Sequence, residues 1–353
     1  MPGSGKTSLF NALTRSDAPV HAFDIRDTQS RTAVVAVPDA RYETAVRICQ
    51  PKKRVPATLE IVDGAARVEV HERGSRFGTD FFAGLRAMDA LVVVLRGFTN
   101  PMASEPADPL QELRSVEDEL LLADLTVLEG RLERLHKQGA RRQPGSAVEE
   151  QAIVGMLQHL ESSLPLRGLD MTPEQAQVAR AFALVSAKPA ILVLNVDEQD
   201  LHAEAEIRSS ILSYANPNKL PVMVLCARLE AEIAQMPPDE EGAYLAALGV
   251  REAARDALIR VAYTYMGLIS FLTVGADEVR AWTIRNGTTA LGAAEKIHSD
   301  IARTFIRAEV MEFADFEAAG GWDEARSAGK MRLEGKDYIV QDGQIVHIRN
   351  SRG

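Results

Sequence analysis

The sequence predicts an α/β protein: a doubly wound parallel sheet, an inserted antiparallel helical arm and a smaller α+β domain at the end. Three observations point there. Four short runs, Leu59 to Val62, Ala90 to Leu95, Ala190 to Leu194 and Val222 to Leu225, are apolar apart from Glu60, as strands covered on both faces by helices are. Two leucine-rich seams separated by a glycine- and proline-containing break lie between the second and third of these runs. Past about Met266 the pattern changes to alternating runs and glycine turns. The expected boundaries are 1–105 and 181–266 for the two parts of the sheet domain, 106–180 for the arm and 267–353 for the last domain.

The first element is a turn followed by a helix. Gly3-Ser4-Gly5-Lys6-Thr7-Ser8 precedes Leu9, Phe10, Ala12 and Leu13 at helical spacing. Gly5-Lys6-Thr7 completes the GxxxxGK(S/T) phosphate loop, in which backbone N–H groups surround the phosphates. Lys6 is the cation for the β and γ oxygens, the Thr7 hydroxyl meets Mg²⁺, and the following helix N-terminus adds its dipole. The first glycine of the pattern would fall before Met1, and the strand that feeds such a loop has no residues. The natural protein is therefore expected to start upstream.

Ala33 to Val37 is a further candidate strand, and Leu59-Glu60-Ile61-Val62 ends in Asp63. A carboxylate in that place, after a phosphate loop, suits the residue that holds Mg²⁺ through water. In the arm, Leu121, Leu125, Leu128, Leu132 and Leu135 follow 4-3-4-3 spacing, and Ile153, Leu157, Leu160 and Leu164 follow 4-3-4. Thr172-Pro173-Glu174-Gln175 then supplies an N-cap, a proline at the first helical position and a glutamine at the third. In the last domain, strands are expected at Ile269 to Val274, Trp282 to Ile284 and Ile306 to Val310, with a helix over Gly292 to Thr304. Tyr338 to Val340 and Ile345 to Ile348 are expected to form a hairpin through Asp342-Gly343.

Composition narrows the classes. With 353 residues, 46% apolar and 25% charged, the chain buries a core and is not dominated by disorder. The net charge of −10 excludes attachment to nucleic acid by overall charge and leaves only a local contact surface. Residues 101–266 hold 15 basic against 26 acidic residues, the outer faces of long helices. Cys49 and Cys226 form neither a CxxC pair nor a zinc pattern, and the seven histidines are scattered without a nucleophile–base constellation. No apolar run approaches the ~20 residues that span a bilayer, so a cytoplasmic location without a membrane partner is expected.

Asn195-Val196-Asp197-Glu198 follows the buried run Ala190 to Leu194, at the carboxyl end where such sheets bind ligands. The NKxD motif of GTPases uses an aspartate there to accept hydrogen bonds from guanine. Adenine offers an acceptor at N1, so the longer Glu198 and the absent lysine favour ATP over GTP.

These residues carry a resemblance. The stretches PGSGKTSLFNALT, VVAVPDAR, PKKRVPATLEIVD, AKPAILVLNVDE, LEAEIA, LISFLTVG, RAWTIRNGTTA and RLEGKDYIVQDGQIVHIR resemble the YchF family of Obg-like ATPases, a translation-factor-related class of P-loop proteins. The C-terminal part resembles that family's TGS domain, a ubiquitin-like β-grasp module. The resemblance implies a slow, Mg²⁺-dependent ATPase that prefers ATP to GTP and associates with the ribosome or ribosomal RNA. Position by position it implies phosphate binding by Gly3, Ser4, Gly5, Lys6, Thr7 and Ser8, and metal ligation by Thr7 and Asp63. It also implies base recognition by Asn195, the Val196 main chain, Glu198 and the loop at Cys226-Ala227-Arg228.

Departures from the family pattern fall in the switches. Asp63-Gly64-Ala65-Ala66-Arg67 stands where the family reads Asp-Ile-Ala-Gly-Leu, so Ala66 lacks the glycine's freedom to turn a backbone N–H to the γ-phosphate. Arg67 either reaches that phosphate or faces solvent. The first switch is not recognisable in Asp27 to Ala33, where Thr28 is one position out of register. No side chain reads as a general base. The rival to a slow hydrolase is therefore a hydrolysis-deficient nucleotide-binding adaptor for ribosome or RNA, with Arg280, Trp282, Arg285 and Arg307 as contact candidates; a GTP-binding switch is the other alternative.

Overall fold

The computed structural model describes residues 3–16, 31–64, 77–99, 106–137, 144–216 and 218–351. The chain runs through helix α1 (Lys6–Thr14), strand β1 (Arg31–Ala36), α2 (Ala40–Cys49), β2 (Lys53–Val55), β3 (Thr58–Asp63), α3 (Thr79–Ala87) and β4 (Leu91–Arg96). The arm region holds α4 (Pro109–Lys137), α5 (Ser146–Glu161) and α6 (Pro173–Ala181). After it come β5 (Ala190–Asn195), α7 (Glu204–Ala215), β6 (Val222–Leu225), α8 (Ala227–Ala234), α9 (Pro238–Ala247) and α10 (Ala254–Tyr265). The last part holds β7 (Leu268–Thr273), β8 (Glu278–Arg285), α11 (Ala290–Ile297), α12 (Ser299–Arg303), β9 (Phe305–Met311), α13 (Phe313–Ala319), α14 (Trp322–Ser327), β10 (Arg332–Glu334) and β11 (Ile345–Asn350). Two compact units result: Met1–Ala33 with Val62–Arg255, and Val34–Ile61 with Asp256–Gly353.

In the first unit, β4, β5 and β6 form a parallel sheet in that order, with Leu91 opposite Ala190 and Leu192 opposite Val222. The central strand β5 is buried at every residue, as its unbroken apolar run requires. Helices α3, α4 and α7 cover the sheet through Phe82, Leu113, Leu120, Ile211 and Ala215. The Leu59 to Val62 run does not join this sheet: β3 pairs with β1 in a separate two-stranded sheet, and its residues are exposed or half-buried, none of them buried. The five-run reading is corrected accordingly to a three-stranded parallel core and a separate two-stranded pair.

The arm is an antiparallel pair of helices with a third helix against it. Arg131 pairs with Glu149 at 2.7 Å near the break, while Arg167, beyond the end of α5, pairs with Glu117 near the start of α4 at 2.6 Å. Leu121, Leu128 and Leu135 meet Ile153, Met156, Leu157 and Leu160, and Val178 and Ala179 of α6 complete the cluster. Leu164 lies outside the seam and is exposed, because α5 ends at Glu161. The expected capping box closes: Gln175 N–H donates to Thr172 Oγ1 at 3.3 Å and Thr172 N–H to Gln175 Oε1 at 3.0 Å. The buried Asp124 of α4 accepts from the N–H groups of Val185 and Ser186 at 2.9 and 2.8 Å, tying the arm to the segment that leads into β5.

The second unit is built on a six-stranded mixed sheet in the order β10-β9-β11-β7-β8-β2. β7 and β8 are antiparallel, and β11 runs between β7 (parallel) and β9 (antiparallel). That is the β-grasp arrangement expected of the last domain, extended by one strand. Ala290, Ala293 and Ala294 of α11 pack on Phe271, Ile284, Val310 and Val346. Two details differ from expectation. The 292–304 helix is broken at His298, whose Nδ1 accepts from Asp300 N–H at 3.1 Å and so starts α12. Asp342-Gly343 does not close a hairpin: Ser270 N–H donates to Asp342 Oδ1 at 2.9 Å and Gly343 N–H to Ser270 O at 2.7 Å. The turn is thereby stitched to β7, and Tyr338 to Val340 contributes an isolated bridge, Ile339 to Thr289, instead of a strand.

The extra strand comes from far away in sequence. Residues 34–61, expected within the 1–105 segment of the sheet domain, pack with the C-terminal unit. β2 lies parallel to β8, with Lys53 opposite Glu278 and Val55 opposite Arg280. Arg41 donates to Asp39 at 2.8 Å and to Asp342 at 2.9 Å. Gly343 is left-handed (φ 80°), and a Cβ there would fall 2.1 Å from Arg41 Nη1, so this clamp needs glycine.

Candidate functional site

The site grows from the carboxyl end of β5. The last residue of that strand, Asn195, is buried and has both ends of its amide engaged. Its Nδ2 donates to Ser4 O at 3.0 Å, and its Oδ1 accepts from Ala227 N–H at 2.9 Å. One side chain therefore fixes the glycine-rich turn and the N-terminus of α8 to the same strand end. Gly5, the N-cap of α1, has φ 90°, and a Cβ on it would lie 2.1 Å from Asn195 Nδ2. Both the turn and the approach of Asn195 require glycine there. No side chain caps the start of α1. Leu9, Phe10, Ala12 and Leu13 are buried and hold α1 by its apolar face, as their spacing predicts.

On the phosphate side, Thr7 Oγ1 donates to Asp63 Oδ2 at 3.1 Å. The second residue of α1 and the last of β3 thus present a hydroxyl and a carboxylate together, the two residue types expected around Mg²⁺. Burial pushes the Lys6 ammonium below the usual lysine value, opposed by the attraction of Asp63 and Glu112. Glu112 was not singled out in the sequence. It sits in the first turn of α4 and accepts from Arg96 N–H at 3.1 Å and from Arg96 Nε at 3.4 Å, bracing the end of β4 beside Asn195. Its only sequence signal is an arginine ending an apolar strand with a glutamate in the next helix.

The base-side residues separate by burial. Val196 is buried and its N–H donates to Leu225 O at 2.9 Å; Ala227 is fully buried at the head of α8. Glu198 is exposed and opens a 3₁₀ turn over Glu198–Ala203. Gly3, Ser4 and Ser8 lie in the turn and the first helical turn, Ser4 buried and Ser8 half-buried. Ala65, Ala66, Arg67, Thr28 and most of the first-switch stretch lie outside the described residues.

The four C-terminal contact candidates do not form one patch of equivalent groups. Trp282 packs against Phe271 with ring centroids 6.3 Å apart, donates to Thr273 Oγ1 at 2.9 Å and carries the Arg280 guanidinium 4.6 Å above its ring. Trp282 is part of the fold, and Arg280 is further bound to Glu278 at 3.1 Å. Arg285 and Arg307 are exposed.

A glycine turn capping a buried helix, a lysine and hydroxyl behind it, a strand-end aspartate, and a second loop anchored by asparagine at the edge of a parallel sheet define a P-loop nucleotide-binding protein. Comparison with known proteins sharpens this. The family model YchF-GTPase_C, described as "Protein of unknown function (DUF933)", matches residues 268–351. Over 354 residues the chain is 35% identical to the ribosome-binding ATPase YchF of Bacillus subtilis, covering 99% of this chain and 97% of that one. It is 31% identical to Obg-like ATPase 1 of Oryza sativa over 99% of this chain and 90% of that one. The solved structure of the Schizosaccharomyces pombe YchF GTPase superposes with a TM-score of 0.82 at 28% identity, covering 99% of this chain and 96% of that one. The chain belongs to the YchF family.

Proposed function

We propose that this chain is a cytoplasmic, ribosome-associated ATPase that binds ATP in preference to GTP and hydrolyses it slowly with Mg²⁺. The observation that carries the reading is the Thr7–Asp63 pair, a hydroxyl and a carboxylate held 3.1 Å apart immediately behind Lys6. That donor set is two hard oxygens, which suits a small cation that keeps several waters and shares substrate phosphates. Thr7 directly and Asp63 through water would hold Mg²⁺ there, and the ion would supply positive charge for the phosphate oxygens.

The chain's own groups do the rest. The turn from Gly3 to Lys6 directs backbone N–H groups at the phosphates, and the Lys6 ammonium balances charge on the β and γ oxygens. Asn195 keeps that turn in register with α8. Glu198, standing where a GTPase has aspartate, withholds the short carboxylate that guanine needs and leaves adenine to main-chain contacts at Val196 and Ala227. With no general base among the described residues at the site, water is activated only by positioning and charge, so turnover is slow. Domain boundaries at 105, 180 and 266, and the TGS character of the last domain, belong to the same reading.

The test is a side-by-side titration of ATP and GTP, followed by Mg²⁺-dependent turnover of the wild type and of Lys6→Ala. ATP is expected to bind more tightly, with turnover lost in the variant. Tighter GTP binding overturns the role given to Glu198. ATP binding with turnover indifferent to Lys6 identifies the adaptor instead. Co-sedimentation with 70S ribosomes checks the partner.

A further inference from the structure

An open cleft of about 510 Å³ lies within the C-terminal unit, lined by Glu43, Val46, Arg47, Gln50 and Arg54. It belongs to α2 and the approach through β2, not to the nucleotide site. The basic residues in and around it fall into two groups. Arg41 is held by Asp39 and Asp342, Lys52 by Asp277 at 2.8 Å, Lys53 by Glu278 at 2.8 Å and Arg280 by Glu278 at 3.1 Å. Among the described residues, Arg47 has only the Thr44 hydroxyl, at 3.2 Å, and Arg54 has no side-chain hydrogen bond or ion pair. Both are exposed, and both face the cleft. Among the described residues, the two cations lining the cleft have no carboxylate partner and share one depression.

Edge protection does not account for the pair. Charge on an edge strand blunts unwanted pairing, which explains Lys53 and Arg54 on β2. It gives no reason for Arg47 on the helix to face the same cleft. Two forked guanidiniums without a carboxylate partner among the described residues suit phosphate oxygens. The remaining polar groups qualify the ligand. Glu43 is an acceptor that would repel a ligand made of anionic groups alone, and Gln50 both donates and accepts. A strand with ribose hydroxyls and base amino groups beside its phosphates meets all four residues.

We infer that the α2–β2 cleft docks the phosphate backbone of an RNA strand, with Arg47 and Arg54 as its two phosphate contacts. This rests on the proposed ribosome association and names its contact surface. The same segment, residues 34–61, runs between the first-switch stretch and Asp63, so RNA held here grips the polypeptide that leads into the metal carboxylate.

The experiment measures binding of the full chain to 70S ribosomes and to deproteinised ribosomal RNA across a salt series. It compares wild type, Arg47→Gln/Arg54→Gln and the charge-matched control Lys52→Gln/Lys53→Gln. Removing two phosphate contacts is expected to reduce the slope of log affinity against log salt by about 1.4. The lysine control, whose charges are already paired, keeps the wild-type slope, and basal ATP turnover without RNA is unchanged in both variants. An unchanged slope in the arginine variant, or an equal loss in the lysine control, overturns the cleft while leaving ribosome association standing. Wild-type binding to intact ribosomes but not to ribosomal RNA makes the partner a protein and overturns the RNA assignment. Wild-type binding to neither removes the ribosome reading and this one together.

Discussion

The two sides of the proposed nucleotide site are built on different terms. On the base side, Asn195 ends a wholly buried strand, and its amide joins Ser4 and Ala227 inside the protein. On the phosphate side, Lys6, Thr7, Ser8 and Asp63 are half-buried, and the Thr7–Asp63 bond is partly open to solvent. The first side spends its polar groups on the fold; the second holds the groups proposed to meet the ligand. Stability and activity should therefore come apart when the two sides are changed separately.

The largest effect is expected from Asn195→Ala. It leaves a buried carbonyl on Ser4 and a buried N–H on Ala227 without this partner, at about 1–3 kcal/mol each. Denaturant unfolding should show that loss, and ATP affinity should fall with it; a stable variant with normal ATP binding would break the comparison. Lys6→Ala should do the opposite. Turnover drops about 100-fold or more, the usual cost of removing a group that stabilises transition-state charge, while the unfolding midpoint does not fall, because burial disfavours the ammonium. Asp63→Asn is expected to act through the metal, raising the Mg²⁺ concentration for half-maximal turnover by about tenfold, or ~1.4 kcal/mol. ATP affinity measured without Mg²⁺ should stay near wild type. The smallest change is Glu198→Asp. Shortening an exposed side chain should improve GTP binding relative to ATP by only a few-fold, read by competition titration, with no change in unfolding.

Much of this was legible in the sequence because it depends on neighbours along the chain. Gly5 needs its left-handed φ for a turn made of adjacent residues. The Thr172–Gln175 capping box closes over three residues, and the leucine seams of α4 and α5 face each other across one short break. Asn195 was visible as a candidate, but not as the joint between Ser4 and Ala227, since neither partner is near it in sequence. Glu112 escaped notice for the same reason: its importance comes from Arg96 and Lys6, each brought to it by tertiary packing. The Asp342-Gly343 turn misled in the other direction. Its composition is that of a hairpin, and the contacts with Ser270 redirect it.

Composition, spacing and local conformational preference were enough to establish a glycine-rich turn leading into a helix, a buried parallel strand ending at Asn195, a helical arm and an α+β terminus, because each is encoded within a stretch of a few turns or a single strand. Which strands share a sheet was decided only in three dimensions. β1 and β3 leave the parallel core, and residues 34–61 add β2 to a sheet formed by residues more than 200 positions later. Backbone hydrogen bonds must be made somewhere, but a strand's own residues do not say with which partner; that choice falls to side chains such as Arg41 and Asp342, which meet only after the chain has folded.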